Sequence, residues 1–154
     1  MKLFLTSTLV FFCLFSKGQS YQTDSISIKN IIVDDWITYL SNSDVEINYK
    51  VSQCDPSIGY DSEMILLRVE NKTSSDILMD WHMILYYSQT CKTCDYFDEY
   101  HYSISLPANN EIQGNCDINS NYQLKIFSKF IDPNYTLNEQ LTSFELRGLT
   151  VQMD

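Results

Sequence analysis

Apolar side chains recur at every second position through much of this chain, and no other feature restricts its fold as tightly. Val45, Ile47, Tyr49 and Val51 alternate with Glu46, Asn48 and Lys50, and Tyr102, Ile104 and Leu106 alternate with His101, Ser103 and Ser105. Successive side chains of a strand point to opposite faces, so such runs predict strands with one face in a core and the other in solvent. Met64-Ile65-Leu66-Leu67 is apolar without a break and predicts a central strand covered on both faces. The turn cluster Asn71–Asp76 follows, and then a long strand from Ile77 to Tyr87 sets Trp81, Met83, Leu85 and Tyr87 on one face. Pro107-Ala108-Asn109-Asn110 predicts a hairpin loop between Ser103–Leu106 and Glu111–Cys116. Leu124, Ile126 and Phe130 mark a further strand, and Asp34–Leu40 fits either a first strand or a short helix, with strand preferred. In the last strand Phe144 and Leu146 share one phase and Leu149 and Val151 the other, which predicts a bulge at Gly148. The expected fold is all-β, a single antiparallel sandwich of seven to eight strands over residues 31–154.

The run Leu66-Leu67-Arg68-Val69-Glu70-Asn71-Lys72-Thr73-Ser74 through Trp81, followed by Ile104-Ser105-Leu106-Pro107-Ala108-Asn109-Asn110-Glu111-Ile112, resembles the immunoglobulin-like modules common in exported bacterial proteins. The resemblance covers about a third of the chain by that motif reading. It implies an immunoglobulin-like β-sandwich with an adhesive or accessory role, and it transfers no catalytic residue.

Residues 1–18 have the order of a secretory signal: Met1-Lys2, an apolar run from Leu3 to Phe15, then Ser16 and Gly18 three and one positions before a cut that would leave Gln19 first. Cys13, between Phe12 and Leu14, lacks the small neighbour of a lipid-attachment site and is expected to leave with the signal. Residues 19–30 are expected to form a flexible N-terminal segment. No later stretch is long and apolar enough for a membrane helix, so no membrane insertion of the mature chain is expected. All 20 acidic residues but only 8 of the 10 Lys and Arg follow residue 18, a net charge of −12. That balance argues against nucleic acid or an anionic membrane as partner, since both reward basic patches.

Four cysteines remain after the cut: Cys54, Cys91, Cys94 and Cys116. Export to an oxidising compartment favours two disulfides. Reversing direction at each turn brings all four to one pole of a sandwich, which makes bridges feasible without fixing which of three pairings forms; Cys91–Cys94 with Cys54–Cys116 is favoured modestly over the crossed ones. Two alternatives compete. Cys91-Lys92-Thr93-Cys94 has the spacing of a redox dithiol, but Asp95–Glu99 is too short for the activating helix and carries three carboxylates. A zinc site from the four thiolates would ordinarily show a second Cys-x-x-Cys pair.

The same pole gathers Asp55, Asp61, Asp95, Tyr96, Phe97, Asp98, Glu99 and Tyr100, where aromatic rings beside carboxylates suit recognition of a protein or a glycan. Asp117, Asn119 and Asn121 have the spacing that opens a calcium loop. The pattern then breaks at Tyr122, where the tight-turn glycine belongs, and at Ser128, where the bidentate Glu belongs. A solvated Asx-rich turn is the simpler reading, and a calcium site assembled from several loops is the alternative. His82 and His101 fall on strands with no nucleophile implied beside them. Asn71-Lys72-Thr73 and Asn134-Tyr135-Thr136 fit the glycosylation sequon. The chain has no phosphate-binding glycine loop, nucleophile elbow or zincin motif. The expected function is a secreted or periplasmic, non-catalytic binding or accessory module. A thiol-disulfide redox protein using Cys91 and Cys94 is the alternative.

Overall fold

The computed structural model describes residues 18–28, 35–54, 61–117, 119–131 and 139–153. Apart from Gly18, the expected export signal lies outside them, as do Asp55, Asn134 and most of the 132–140 connection. The described residues form eleven strand segments and a single 3-10 turn at Tyr122–Leu124. Four segments are short: β1 (Gln19–Ser20), β2 (Ile26–Ser27), β7 (Thr90–Cys91) and β9 (Glu111–Gln113). The long ones are β3 (Ile37–Ser41), β4 (Val45–Cys54), β5 (Ser62–Asn71), β6 (Ile77–Tyr87), β8 (His101–Leu106), β10 (Lys125–Phe130) and β11 (Leu141–Met153).

They pair into two antiparallel sheets. In one, β11 lies beside β6, with β1 and β2 along the far edge of β11 and β7 and β8 along the far edge of β6. In the other the order is β3, β4, β5, and then β9 and β10 end to end along β5. The inward phases meet in one core. Val45, Ile47, Tyr49, Val51, Ile65, Leu67 and Val69 of one sheet pack with Ile77, Met79, Trp81, Met83, Ile104 and Leu106 of the other. Phe144 joins the layers: its ring stacks on Tyr39 at 5.6 Å and meets Tyr49 edge-on at 5.5 Å.

Two devices fix the register. Between Arg147 and Thr150 the pairing of β11 with β6 slips by one residue at Gly148, whose φ is +66°. Glycine adopts that conformation without the Cβ penalty. The slip brings Leu149 and Val151 onto the face that Phe144 and Leu146 already occupy, and all four are buried. At the lower end Asn71 is fully buried, and its Nδ2 donates to the carbonyls of Ser75, Leu106 and Pro107. Its Oδ1 accepts from Thr73 N–H and Oγ1. One amide thus closes the turn between the sheets and ties it to the end of β8.

The N-terminal segment expected to be flexible is instead a paired edge as far as Ile28. Gln19 and Ser20 pair with Val151 and Thr150, and Ile26 and Ser27 pair with Phe144 and Ser143. Its polar composition hides the anchors: Tyr21, Ile26 and Ile28 pack on the core, and Thr23 Oγ1 donates to Leu146 O.

Candidate functional site

The cysteines are joined as Cys54–Cys116 and Cys91–Cys94, with Cα separations of 5.4 and 5.8 Å. Both bridges lie towards the same end of the molecule, on different sheets. Cys54 ends β4 in its outward phase, whereas Cys91 pairs with Tyr86 near the top of β6. Cys116 arrives there by a route that simple strand alternation misses. β9 stops at Gln113, Gly114 N–H makes one more bond to Leu67 O of β5, and a Cβ at Gly114 would lie 2.1 Å from Leu124 O. With all four sulfurs oxidised, none is a thiolate for zinc.

Cys91–Cys94 frames a repair of the β6 edge. β8 covers Ile77–His82 and β7 covers Tyr86–Tyr87, leaving an interval between them. The segment from Lys92 to Tyr100 fills that interval. Thr93 is 1% exposed; its Oγ1 donates to Met83 O at 2.8 Å and accepts Leu85 N–H at 2.9 Å. Lys92 N–H donates to Leu85 O, and Met83 N–H donates to Tyr100 O. Every edge-facing backbone group from Met83 to Leu85 is thereby satisfied, as a buried edge requires. The dithiol spacing therefore serves a turn, with no helix N-terminus beside either sulfur among the described residues to lower a thiol pKa.

Between its two backbone bonds to β6 the segment folds on itself, with Tyr96 N–H donating to Thr93 O and Tyr100 N–H to Tyr96 O. Asp95, Tyr96, Phe97, Asp98 and Glu99 are exposed, and Tyr100 is half-buried. The exposed large apolar residues among the described ones are Tyr96 at 58%, Phe97 at 48% and Tyr122 at 65%. Phe97 and Tyr122 lie on opposite faces of the β6–β8 pair. Phe97 meets His82 edge-on at 5.4 Å, and His82 stacks on His101, its direct cross-strand partner, at 4.8 Å. His101 Nε2 lies 3.7 Å from Asp80 Oδ1. On the other flank of β8, Tyr122 packs edge-on against Tyr102 at 5.8 Å, and Tyr102 in turn against Trp81 at 5.9 Å. Gln123 Nε2 donates to Ser103 O and holds the 3-10 turn to this edge. Burial raises the Tyr102 phenol above its ordinary pKa, and the neighbouring Tyr100, Tyr122 and Glu99 raise it further.

The sequence reading named Asp95–Tyr100 as a candidate binding pole and did not include Tyr122, His82 or His101 in it. The first was read only as a mismatch in a calcium loop, and the histidines become neighbours only once the β6–β8 register is known. Asp61, placed at the same pole, is occupied in accepting Gln53 Nε2. Asp117, Asn119 and Asn121 form an Asx-rich turn: Asp117 Oδ1 accepts Asn119 N–H, and Asn115 Oδ1 accepts Asp117 N–H. The Lys125 ammonium sits 2.6 Å from Asp117 O and 3.3 Å from Ser120 Oγ, so an internal cation already occupies part of the loop's oxygen set. Among the described residues no three acidic, histidine or cysteine side chains converge as a metal would need.

Two concavities lie near the upper end. One, of about 280 Å³, is lined by Tyr87, Lys92, Phe127, Phe130 and Glu139, with Lys92 paired to Glu139 at 2.8 Å. The other, of about 470 Å³, is lined by Ser25, Ser27, Ile28, Tyr86, Gln89, Thr142 and Ser143. Neither lining includes a histidine or a cysteine. Comparison of the chain with protein-family models, curated proteins and solved structures finds no match.

Proposed function

We propose that this chain is an exported, secreted or periplasmic, non-catalytic β-sandwich of immunoglobulin-like type that binds a protein or glycan partner through the aromatic edge of β8. One observation carries the reading: Tyr96, Phe97 and Tyr122 are the exposed large apolar residues among those described, and Phe97 packs on His82 and Tyr122 on Tyr102 to either side of the β6–β8 pair. Exposed aromatic clusters favour recognition, because a ring supplies wide contact area at low conformational cost. The immunoglobulin-like kinship rests on the Asn71 turn and the Leu106-Pro107 hairpin, which a single buried amide joins. Two disulfides support an oxidising location.

Glycan and peptide arrays probed with the wild type and with Tyr96→Ser/Phe97→Ser/Tyr122→Ser test the reading. Ligands retained by the wild type and lost by the variant support it. Identical binding profiles for the two proteins, both folded by circular dichroism, reject it.

A further inference from the structure

We infer that the partner taken by the β8 edge is a cationic polypeptide segment, one presenting lysine or arginine side chains. This inference rests on the binding role proposed for that edge and adds the chemistry of what is bound.

Among the described residues no ion pair engages the carboxylates of the edge. Ion pairs among the described residues join Lys92 to Glu139, His101 to Asp80, Lys129 to Glu63 and Arg147 to Glu145. None of them reaches Asp95, Asp98 or Glu99. The remaining described cations are engaged elsewhere: Lys50 and Arg68 lie over the Trp36 ring, Lys72 donates to Ser41, and Lys125 donates to Asp117 O and Ser120. Tyr96 and Phe97 share the Asp95–Glu99 run with those three carboxylates and hold their rings in solvent. A ring face attracts an ammonium or guanidinium, and a carboxylate within a few ångströms adds to that attraction. A neutral sugar would use the rings and leave the carboxylates unpaired, and an anionic ligand would be repelled by them. The net charge of −12 after residue 18 adds a long-range pull of the same sign on a cationic partner.

The same chemistry exists within this molecule. Trp36 holds Lys50 Nζ 4.8 Å and Arg68 Cζ 4.9 Å from its ring centroid, so the fold already stabilises cations on an aromatic face. At the β8 edge the rings and acids are present and the cation has to come from outside.

Fluorescence polarisation of the oxidised protein tests this with three labelled probes: a peptide of alternating lysine and glycine, the same peptide with glutamate in place of lysine, and a neutral maltodextrin. Binding of the lysine peptide, weakening as salt rises from about 50 to about 300 mM, is expected. Asp95→Asn/Asp98→Asn/Glu99→Gln should weaken it about tenfold, from three exposed pairs. Phe97→Ala, which leaves the charge unchanged, should weaken it about three- to fivefold. Asp24→Asn/Asp35→Asn/Glu70→Gln removes the same number of charges elsewhere and should have little effect. Equal losses from the two triple variants would mean that net charge alone attracts the peptide, and the inference fails. A maltodextrin or glutamate-peptide signal that Phe97→Ala abolishes, without a lysine-peptide signal, overturns the cationic partner and leaves the β8 edge as a binding site. No probe bound by the wild type rejects the cationic segment as well, while the arrays described above judge the edge independently.

Discussion

Thr93→Val removes one oxygen from a buried place and leaves the side-chain shape almost unchanged. In the native protein that oxygen serves Leu85 N–H and Met83 C=O together, in the interval of β6 that neither β7 nor β8 covers. Two backbone groups that lose their partner away from water cost about 1–3 kcal/mol each. The methyl that replaces the hydroxyl returns about 1 kcal/mol through apolar burial. The expected net loss is therefore about 1–5 kcal/mol, a large fraction of the about 5–15 kcal/mol that holds a domain together. Thr93→Ser keeps the hydroxyl, loses a methyl and should cost about 1 kcal/mol. Urea unfolding with both disulfides intact should place the Val midpoint about 1–2 M below that of the wild type, with the Ser variant between them. Native-state hydrogen exchange should show the Leu85 amide losing more protection than that of Ile84, which faces β11. A Val variant as stable as the Ser variant would refute the account, because the hydroxyl would then not be what seals the β6 edge.

The two disulfides should contribute unequally. On the chain-entropy account Cys54–Cys116, with a sequence separation of 62, contributes about 4 kcal/mol, and Cys91–Cys94, with a separation of 3, about 2 kcal/mol. Paired Cys→Ser double variants compared by urea unfolding should rank in that order. Glu70 stands between Glu46 and Glu111 across β4, β5 and β9, so Glu70→Lys should raise stability by about 1 kcal/mol, and the gain should shrink in high salt. Burial pushes the Tyr87 phenol up to about 12, with Tyr100 and Glu139 adding to the shift. A folded pKa above the unfolded one means that this stability is fully present below about pH 10 and is lost between there and about pH 12. Thermal melts across that window should fall less steeply for Tyr87→Phe, and phenolate absorbance should show one late-titrating tyrosine fewer.

Alternation was enough to place most of the core. The inward sets of β4, β6 and β8 are the ones their period-two patterns predict, and the phase change about Gly148 is a one-residue slip in the β11 pairing. Long-range pairing was much less legible. Glu111–Cys116 has the pattern of one full strand, yet the strand ends at Gln113 and the last bond to β5 is made by Gly114, packed against Leu124. Residues 19–28 carry too few apolar side chains to announce a strand, and their order depends on the free edge of β11. The candidate site was half visible for a related reason. Asp95–Tyr100 is contiguous in sequence, whereas Tyr122, His82 and His101 reach it only through the register of β8.

The lock made by Asn71 also bears on how this protein can be produced. Asn71 opens the sequon Asn71-Lys72-Thr73, and both side chains needed by a glycosylating enzyme face one another inside the folded turn. A secretory pathway that modifies nascent chains meets the Asn71 amide before the fold closes over it. A glycan attached at that moment would occupy the volume where the amide later donates to Leu106 and Pro107, and the two sheets could not close at that end. Production in a host that attaches N-linked glycans thus sets sugar transfer in competition with folding at one atom, Asn71 Nδ2. A bacterial host removes that competition.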